Sequence, residues 1–237
     1  MEENRRQILL TRRTPCTEAL VPGLSGLGYD PLFLPEELSL WDESALSRFA
    51  REHPLLRAVV HPDPAFISKP LEKVTREDFA EQRRQGPLSA FAVTRAFSEY
   101  FRLKHAGSII YLSSVHAEKP AGHGALYSMV CGAEQMLCRE ANQEYGPDGV
   151  RYFFLQLPPE DTDTDRRSPV SNYYFAPEKR APQKHLTSPE ELLGVLAFLL
   201  TPASAPLSGQ DLCLDGGLTQ FYTSRPPREE SGPWKNA

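Results

Sequence analysis

The chain has 237 residues, enough to bury the core of one α/β domain without disulfides or metals. Its net charge of −5 comes from 26 Lys and Arg interspersed among 31 Asp and Glu, which leaves no basic stripe for nucleic acid or an anionic membrane. The longest apolar run, Leu192 to Leu200 interrupted by Gly194, is about half what a bilayer crossing needs, so no membrane span is expected.

Met1-Glu-Glu-Asn-Arg-Arg6 opens the chain without the apolar stretch of a secretory signal, and a soluble, cytoplasmic protein is expected. Gln7 to Thr11 predicts a first buried strand, followed by a helix over Pro15 to Leu27 weakened by Pro22, Gly23 and Gly26. A second strand is predicted near Pro31 to Leu34 and a third at Leu38 to Trp41. Asp42 then caps a helix from Glu43 to Glu52, and Leu56 to His61 is the fourth strand. From Thr75 the pattern turns helical to about Lys104, with Phe79, Phe91 and Phe97 on one face and a possible break at Gly86-Pro87. Ser108 to Leu112 is a strand, Ala125 to Tyr145 a long helix stopped by Gly146-Pro147, and Val150 to Leu157 the sixth strand. Ser188 and Glu191 make a capping box for a helix from Pro189 to Leu200, and Gln210 to Leu214 closes the set.

Strands alternating with helices predict a Rossmann-like, doubly wound parallel sheet with helices on both faces. Residues 1–222 are read as one domain, and 223–237, rich in proline and charge, as a loosely held arm or partner contact. Twenty-two prolines punctuate the connections. Cys16, Cys131, Cys138 and Cys213 have no C-x-x-C pair and no zinc spacing, so reduced thiols are expected.

Three stretches, in order, resemble the short-chain dehydrogenase/reductase superfamily. Gly107-Ser-Ile-Ile-Tyr-Leu-Ser-Ser114 is followed thirteen residues after Ser114 by Tyr127, in Ala125-Leu-Tyr-Ser-Met-Val-Cys131. Tyr145-Gly-Pro-Asp-Gly-Val-Arg151 matches the usual helix exit into the sixth strand, and Pro189 to Leu218 the final helix and strand. The likeness covers roughly residues 75 to 220; the first third matches only as an alternation of elements.

The resemblance implies hydride exchange between a nicotinamide cofactor and a carbonyl or alcohol, through a serine, a tyrosine, and a lysine four residues after the tyrosine. Here the serine matches Ser114 and the tyrosine Tyr127, but Cys131 stands at the lysine position and Gly86 where the family has a relay asparagine. A phenol of pKa about 10 is only about one part in a thousand ionised at pH 7, and a thiol cannot provide the cation that acidifies it. The family's glycine turn, which admits the pyrophosphate, reads Thr11-Arg-Arg-Thr-Pro-Cys-Thr-Glu18, with Arg12, Cys16 and Glu18 in place of the three glycines. Its Asn-Asn-Ala-Gly wall reads His61-Pro-Asp-Pro64, and the sixth strand runs into Leu157-Pro-Pro-Glu160 where Pro-Gly is customary.

These losses lead to the expectation of a non-catalytic subunit, a pseudoenzyme, with no cofactor of its own. Its expected partner is an active short-chain dehydrogenase paralogue that holds NAD, in a hetero-oligomer of heterotetramer type. The pattern of losses is similar to that of the inactive subunits of heteromeric 2-(hydroxybenzyl)succinyl-CoA dehydrogenases of anaerobic toluene breakdown. Three readings stay open beside it: a halohydrin-dehalogenase-like lyase using Ser114 and Tyr127, an NAD(P)-dependent oxidoreductase with an atypical cofactor pose, and a ligand sensor without turnover. Asp161-Thr-Asp-Thr-Asp165 imitates a calcium loop but lacks its glycine and glutamate, and reads as a solvated acidic loop. His116, Glu118 and His123 lie in one connection without a standard metal spacing.

Overall fold

The computed structural model describes residues 5–120, 122–158, 181–183 and 185–220. The acidic run Asp161–Asp165 and the tail 223–237 lie outside the described residues. Six parallel strands form one sheet: β1 (Arg6–Leu10), β2 (Tyr29–Phe33), β3 (Leu56–Pro62), β4 (Gly107–Ser114), β5 (Val150–Leu157) and β6 (Gln210–Cys213). Their order across the sheet is β2-β1-β3-β4-β5-β6. The helices are α1 (Pro15–Gly26), α2 (Glu43–Glu52), α3 (Arg76–Arg83), α4 (Ser89–Lys104), α5 (Ala125–Tyr145) and α6 (Pro189–Leu199). Among the described residues, no helix is long and apolar enough to cross a membrane.

Period-two alternation along the central strands sends residues to two separate cores. Leu9, Val59, Ile109, Tyr111, Tyr152 and Phe154 face α2, α4 and α5, and pack on Leu46, Phe49, Phe97 and Phe101. Ile8, Leu10, Ala58, Val60, Ile110, Phe153 and Leu155 face α1 and α6, and pack on Leu20, Leu24, Leu192, Leu196 and Leu199. Local signals set the helix starts. Asp42 accepts the Ala45 amide at 3.0 Å, and Ser188 and Glu191 close a reciprocal capping box at the start of α6.

Three expectations are corrected. Leu38 to Trp41 is not a strand, so the sheet has six strands rather than seven; the segment is turned, with Leu38 N–H donating to Pro35 O and Asp42 N–H to Ser39 O. Its leucines are apolar because Leu38 and Leu40 pack against the α2/α4 core from a connection, not because they pair in a ladder. That leaves β2 as a sheet edge, where Pro31 lacks the amide hydrogen a further strand would use. Next, α1 is a full twelve-residue helix despite Pro22, which lies on the solvent face, while Gly23 lets α1 settle onto Leu193 of α6. Last, α3 and α4 are not broken at Gly86-Pro87 but joined through a wide π turn over Arg84–Leu88. Of Phe79, Phe91 and Phe97, only Phe97 is buried; Phe79 and Phe91 are each 44% exposed.

Candidate active site

Strand order changes direction between β1 and β3, so the crevice of this fold opens at the carboxyl ends of these strands. Thr11, Arg12, His61, Asp63, Ser113 and Ser114 all leave strands at that end. Buried Thr11 Oγ1 lies 2.7 Å from Nδ1 of buried His61. Burial, then the charge of Arg12, pushes His61 well below the usual imidazole range, so the ring is neutral in the fold. In the unfolded chain it takes up a proton below about pH 6.5. The contribution of His61 to stability therefore falls as pH drops from about 6.5 to 5, by up to about 1.4 kcal/mol per pH unit. Urea titrations across that window should show it as a pH-dependent difference between wild type and His61→Gln; a difference that does not vary with pH contradicts the assignment.

Arg12, at the first glycine position of the expected turn, does not point to solvent. Its Nη1 donates to Gln85 Oε1 at 2.9 Å and its Nη2 to Ser89 Oγ at 2.7 Å and to the Gln85 carbonyl. The guanidinium thus ties the β1–α1 turn to the π turn between α3 and α4, across the crevice. Burial lowers its pKa, against the opposing charges of Glu134 and Asp63. The start of α1 is closed on itself: Thr14 N–H donates to Thr17 Oγ1 at 2.9 Å, Thr17 N–H to Thr14 Oγ1 at 3.1 Å, and Glu18 N–H to Thr14 O at 2.9 Å. Pro15 has no amide hydrogen. Glu18 forms an exposed pair with Arg13 at 3.8 Å, and Arg13 stacks 4.1 Å over Phe33. Cys16 lines a cavity of about 250 Å³ with Pro15, Leu157, Pro158, Leu186 and Leu192.

The centre of the site is Asp63. Ser113 Oγ donates to Asp63 Oδ2 at 2.8 Å, Tyr127 Oη at 3.0 Å and Cys131 Sγ at 3.3 Å. Burial, then the Asp63 charge, pushes the Tyr127 phenol well above 10 and raises the Cys131 thiol. Ser114, the expected serine, is turned elsewhere: its Oγ accepts the His116 amide at 3.3 Å and caps the short turn Val115–Ala117. Glu134, fully buried on α5, lies beside Asp63. Neither oxygen of Glu134 nor Oδ1 of Asp63 meets a donor. Burial, then the Asp63 charge, raises Glu134 well above the usual range, with Arg12 opposing.

Aromatic rings flank Tyr127, which remains partly exposed. Phe66 packs edge-on against the Tyr127 ring at 5.1 Å, and His116 does so at 6.1 Å. The loop bearing Phe66 is pinned by Gln82 Nε2 donating to Ala65 O at 3.0 Å and by Lys69 N–H donating to His123 O at 2.7 Å. Gly86 has no room for the family's asparagine, since a Cβ there would lie 2.4 Å from Val130 Cγ1. Glu118 accepts from Gln135 at 3.2 Å and from Gln156 at 3.1 Å. Among the described residues no His, Cys, Asp or Glu group is arranged to hold a metal.

Tyr127 and Cys131 thus meet on Asp63 together with Ser113, with Glu134 and the charge of Arg12 near it; Asp63, Glu134 and Ser113 were not among the residues singled out from the sequence. Glu134 had a readable signal. Leu126, Val130, Glu134, Cys138 and Ala141 form one buried helical stripe, and an acid within such a stripe marks a special environment.

A family model described as Enoyl-(Acyl carrier protein) reductase matches residues 43–219. Two tropinone reductase homologs of Arabidopsis thaliana are 31% identical over 157 residues and 29% over 169, covering 65% and 68% of this chain. The matches span 58% and 53% of those relatives, between half and two thirds of their length. An oxidoreductase of the short-chain dehydrogenase/reductase family from Burkholderia thailandensis superposes with a TM-score of 0.79 at 20% identity, over 92% of this chain and 94% of that one. A gluconate 5-dehydrogenase from Burkholderia cenocepacia, solved with NADP and tartrate, superposes with a TM-score of 0.76 at 21% identity, over 93% and 99%. With the family match spanning most of the sheet and the site, the chain belongs to the short-chain dehydrogenase/reductase superfamily.

Proposed function

We propose that this chain is a non-catalytic member of its oxidoreductase superfamily, which serves as a subunit beside an active paralogue. The observation behind this reading is one hydrogen bond: the Tyr127 hydroxyl, keeping its proton, donates to the Asp63 carboxylate at 3.0 Å. Family chemistry asks for a phenol acidified by a neighbouring cation. Here the nearest ionised partner is an anion, and the pKa moves the wrong way. The same hydrogen bond disfavours a dehalogenase-like lyase, which also needs the phenolate.

The cofactor side fits a dinucleotide no better. Arg12 lies across the crevice, and the amides of Thr14 and Thr17 at the start of α1 are taken by each other's side chains. Pyrophosphate needs those amides free and the turn backbone bare. NAD would therefore belong to the partner subunit.

Assembly is supported by the outward faces of α4 and α5. Phe91, Met129 and Met136 are 44%, 57% and 51% exposed, and Gly132 and Ala133 lie between the methionines on α5. Apolar residues gathered on one helix face suit a protein contact more than water. The pairing we favour is a hetero-oligomeric hydroxyacyl-CoA type dehydrogenase, with a heterotetramer of the 2-(hydroxybenzyl)succinyl-CoA dehydrogenase kind as its pattern.

Calorimetry on the purified chain with NAD and with NADP should give no saturable heat, and Cys131→Lys should not restore turnover. Micromolar binding of either nucleotide overturns the reading. Co-expression with an intact paralogue should give co-purification and an activity that neither chain has alone.

A further inference from the structure

Buried carboxyl groups without donors demand an occupant, because each uncompensated charge in an apolar interior costs several kcal/mol. Glu134 is such a group, fully buried with neither oxygen meeting a donor, and the half-buried Asp63 beside it has its Oδ1 unpartnered as well. We propose that Asp63 and Glu134 hold one proton between them, carried on Glu134, and that this proton latches the loop that carries Phe66 against the site.

The groups facing the pair come from every element around it. Arg12 approaches from the β1–α1 turn, Tyr111 from β4, and Tyr127 and Cys131 from α5. Arg12 is the cation among them, so it can balance one carboxylate but not two. With Glu134 protonated, Asp63 is the single anion and accepts from Ser113, Tyr127, Cys131 and Glu134. The burial of the acid and the Asp63 charge act together to keep the proton on Glu134. Loss of that proton to solvent leaves two carboxylates in contact, and their repulsion pushes apart the exit of β3 and the middle of α5. Because Asp63 begins the loop that carries Phe66, the same repulsion frees the cover over Tyr127.

The direction of the pH effect follows. The folded state keeps a proton that the unfolded chain releases near the ordinary glutamate pKa of 4.5, so the contribution of Glu134 to stability falls as pH rises from there toward the raised folded value, opposite in sign to that of His61. This goes beyond the assembly reading and does not depend on it, since the proton can be observed on the isolated chain.

The test is infrared spectroscopy across a pH titration, paired with peptide-level mass spectrometry of Cys131 alkylation. At pH 7 the full-length protein should show the carbonyl stretch of a buried protonated carboxylic acid, absent from Glu134→Gln. As pH rises the band should disappear while Cys131 becomes alkylated; in Glu134→Gln, Cys131 should stay protected over the same range. Should Glu134→Gln not fold, Asp63→Asn decides: with the Asp63 charge gone, the band should persist at neutral pH but titrate at a lower midpoint. No band in the wild type at pH 7, a band surviving in Glu134→Gln, or an unmoved or raised midpoint in Asp63→Asn overturns the proposal.

Discussion

Asp63→Ala is expected to destabilise the fold by about 3–5 kcal/mol, because a half-buried carboxylate shared by three side-chain donors is lost. Three donors lose their acceptor at once: the Ser113 hydroxyl, the Tyr127 phenol and the Cys131 thiol. Each buried donor left unpaired costs about 1–3 kcal/mol before relaxation. Arg12 also loses a facing charge, and Glu134 loses the carboxylate beside it. The change cuts a hub at the exit of β3, where Asp63 N–H also donates to Leu112 O of β4. Asp63→Asn keeps an oxygen of the right shape for the same donors, and should cost less than half as much as the alanine. Urea unfolding followed by circular dichroism measures both. An alanine variant within about 1 kcal/mol of wild type, inside the range of ordinary surface substitutions, contradicts the hub.

Gly86→Asn should be the second most damaging change, although it restores the residue the family carries. The new Cβ would meet Val130 Cγ1 at 2.4 Å and Cγ2 at 2.7 Å, inside a π turn whose position Arg12 fixes. Overpacking of this kind costs about 1–3 kcal/mol. The clash comes from the side chain of Val130, so it should be relieved by shortening that residue. Gly86→Ala combined with Val130→Ala should be markedly more stable than the sum of the two single changes requires, by a coupling of about 0.5–3 kcal/mol. Strict additivity in chemical denaturation would falsify the contact as the cause.

The elements read most faithfully from the sequence are those with local causes. Asp42 before Glu43–Glu52, the Ser188/Glu191 box, and the Gly146-Pro147 stop after Tyr145 each act within a turn of the helix they define. Leu38–Trp41 misled because four residues with two leucines look the same whether they join a ladder or pack from a connection. Phe79 and Phe91 misled because they do not share the face of Phe97: at about 100° per residue Phe91 lies about 120° round α4 from it, and the π turn over Arg84–Leu88 shifts Phe79 out of phase.

The site was legible in what it lacks and opaque in what replaced it. Cys131, Gly86 and Arg12 stand out at aligned positions, each visible one residue at a time. Asp63 acquires its role only when β3 and β4 lie side by side and α5 crosses their ends, an arrangement uniting residues about 50 to 70 positions apart. Arg12 and Gln85 are similarly remote in sequence, and nothing local in Thr11–Glu18 says that the arginine turns inward. Glu134 is the exception, since an acid within a buried stripe announces itself.

The most direct test concerns the phenol. Ultraviolet difference titration of wild type against Tyr127→Phe isolates the ionisation of this one ring among the nine tyrosines. A ring held as a donor to Asp63 should stay un-ionised up to pH 10 and beyond, with no tyrosinate difference signal until the protein unfolds. A single tyrosinate appearing near about pH 7, the region a hydride-transfer enzyme of this family needs, would contradict the account at its centre.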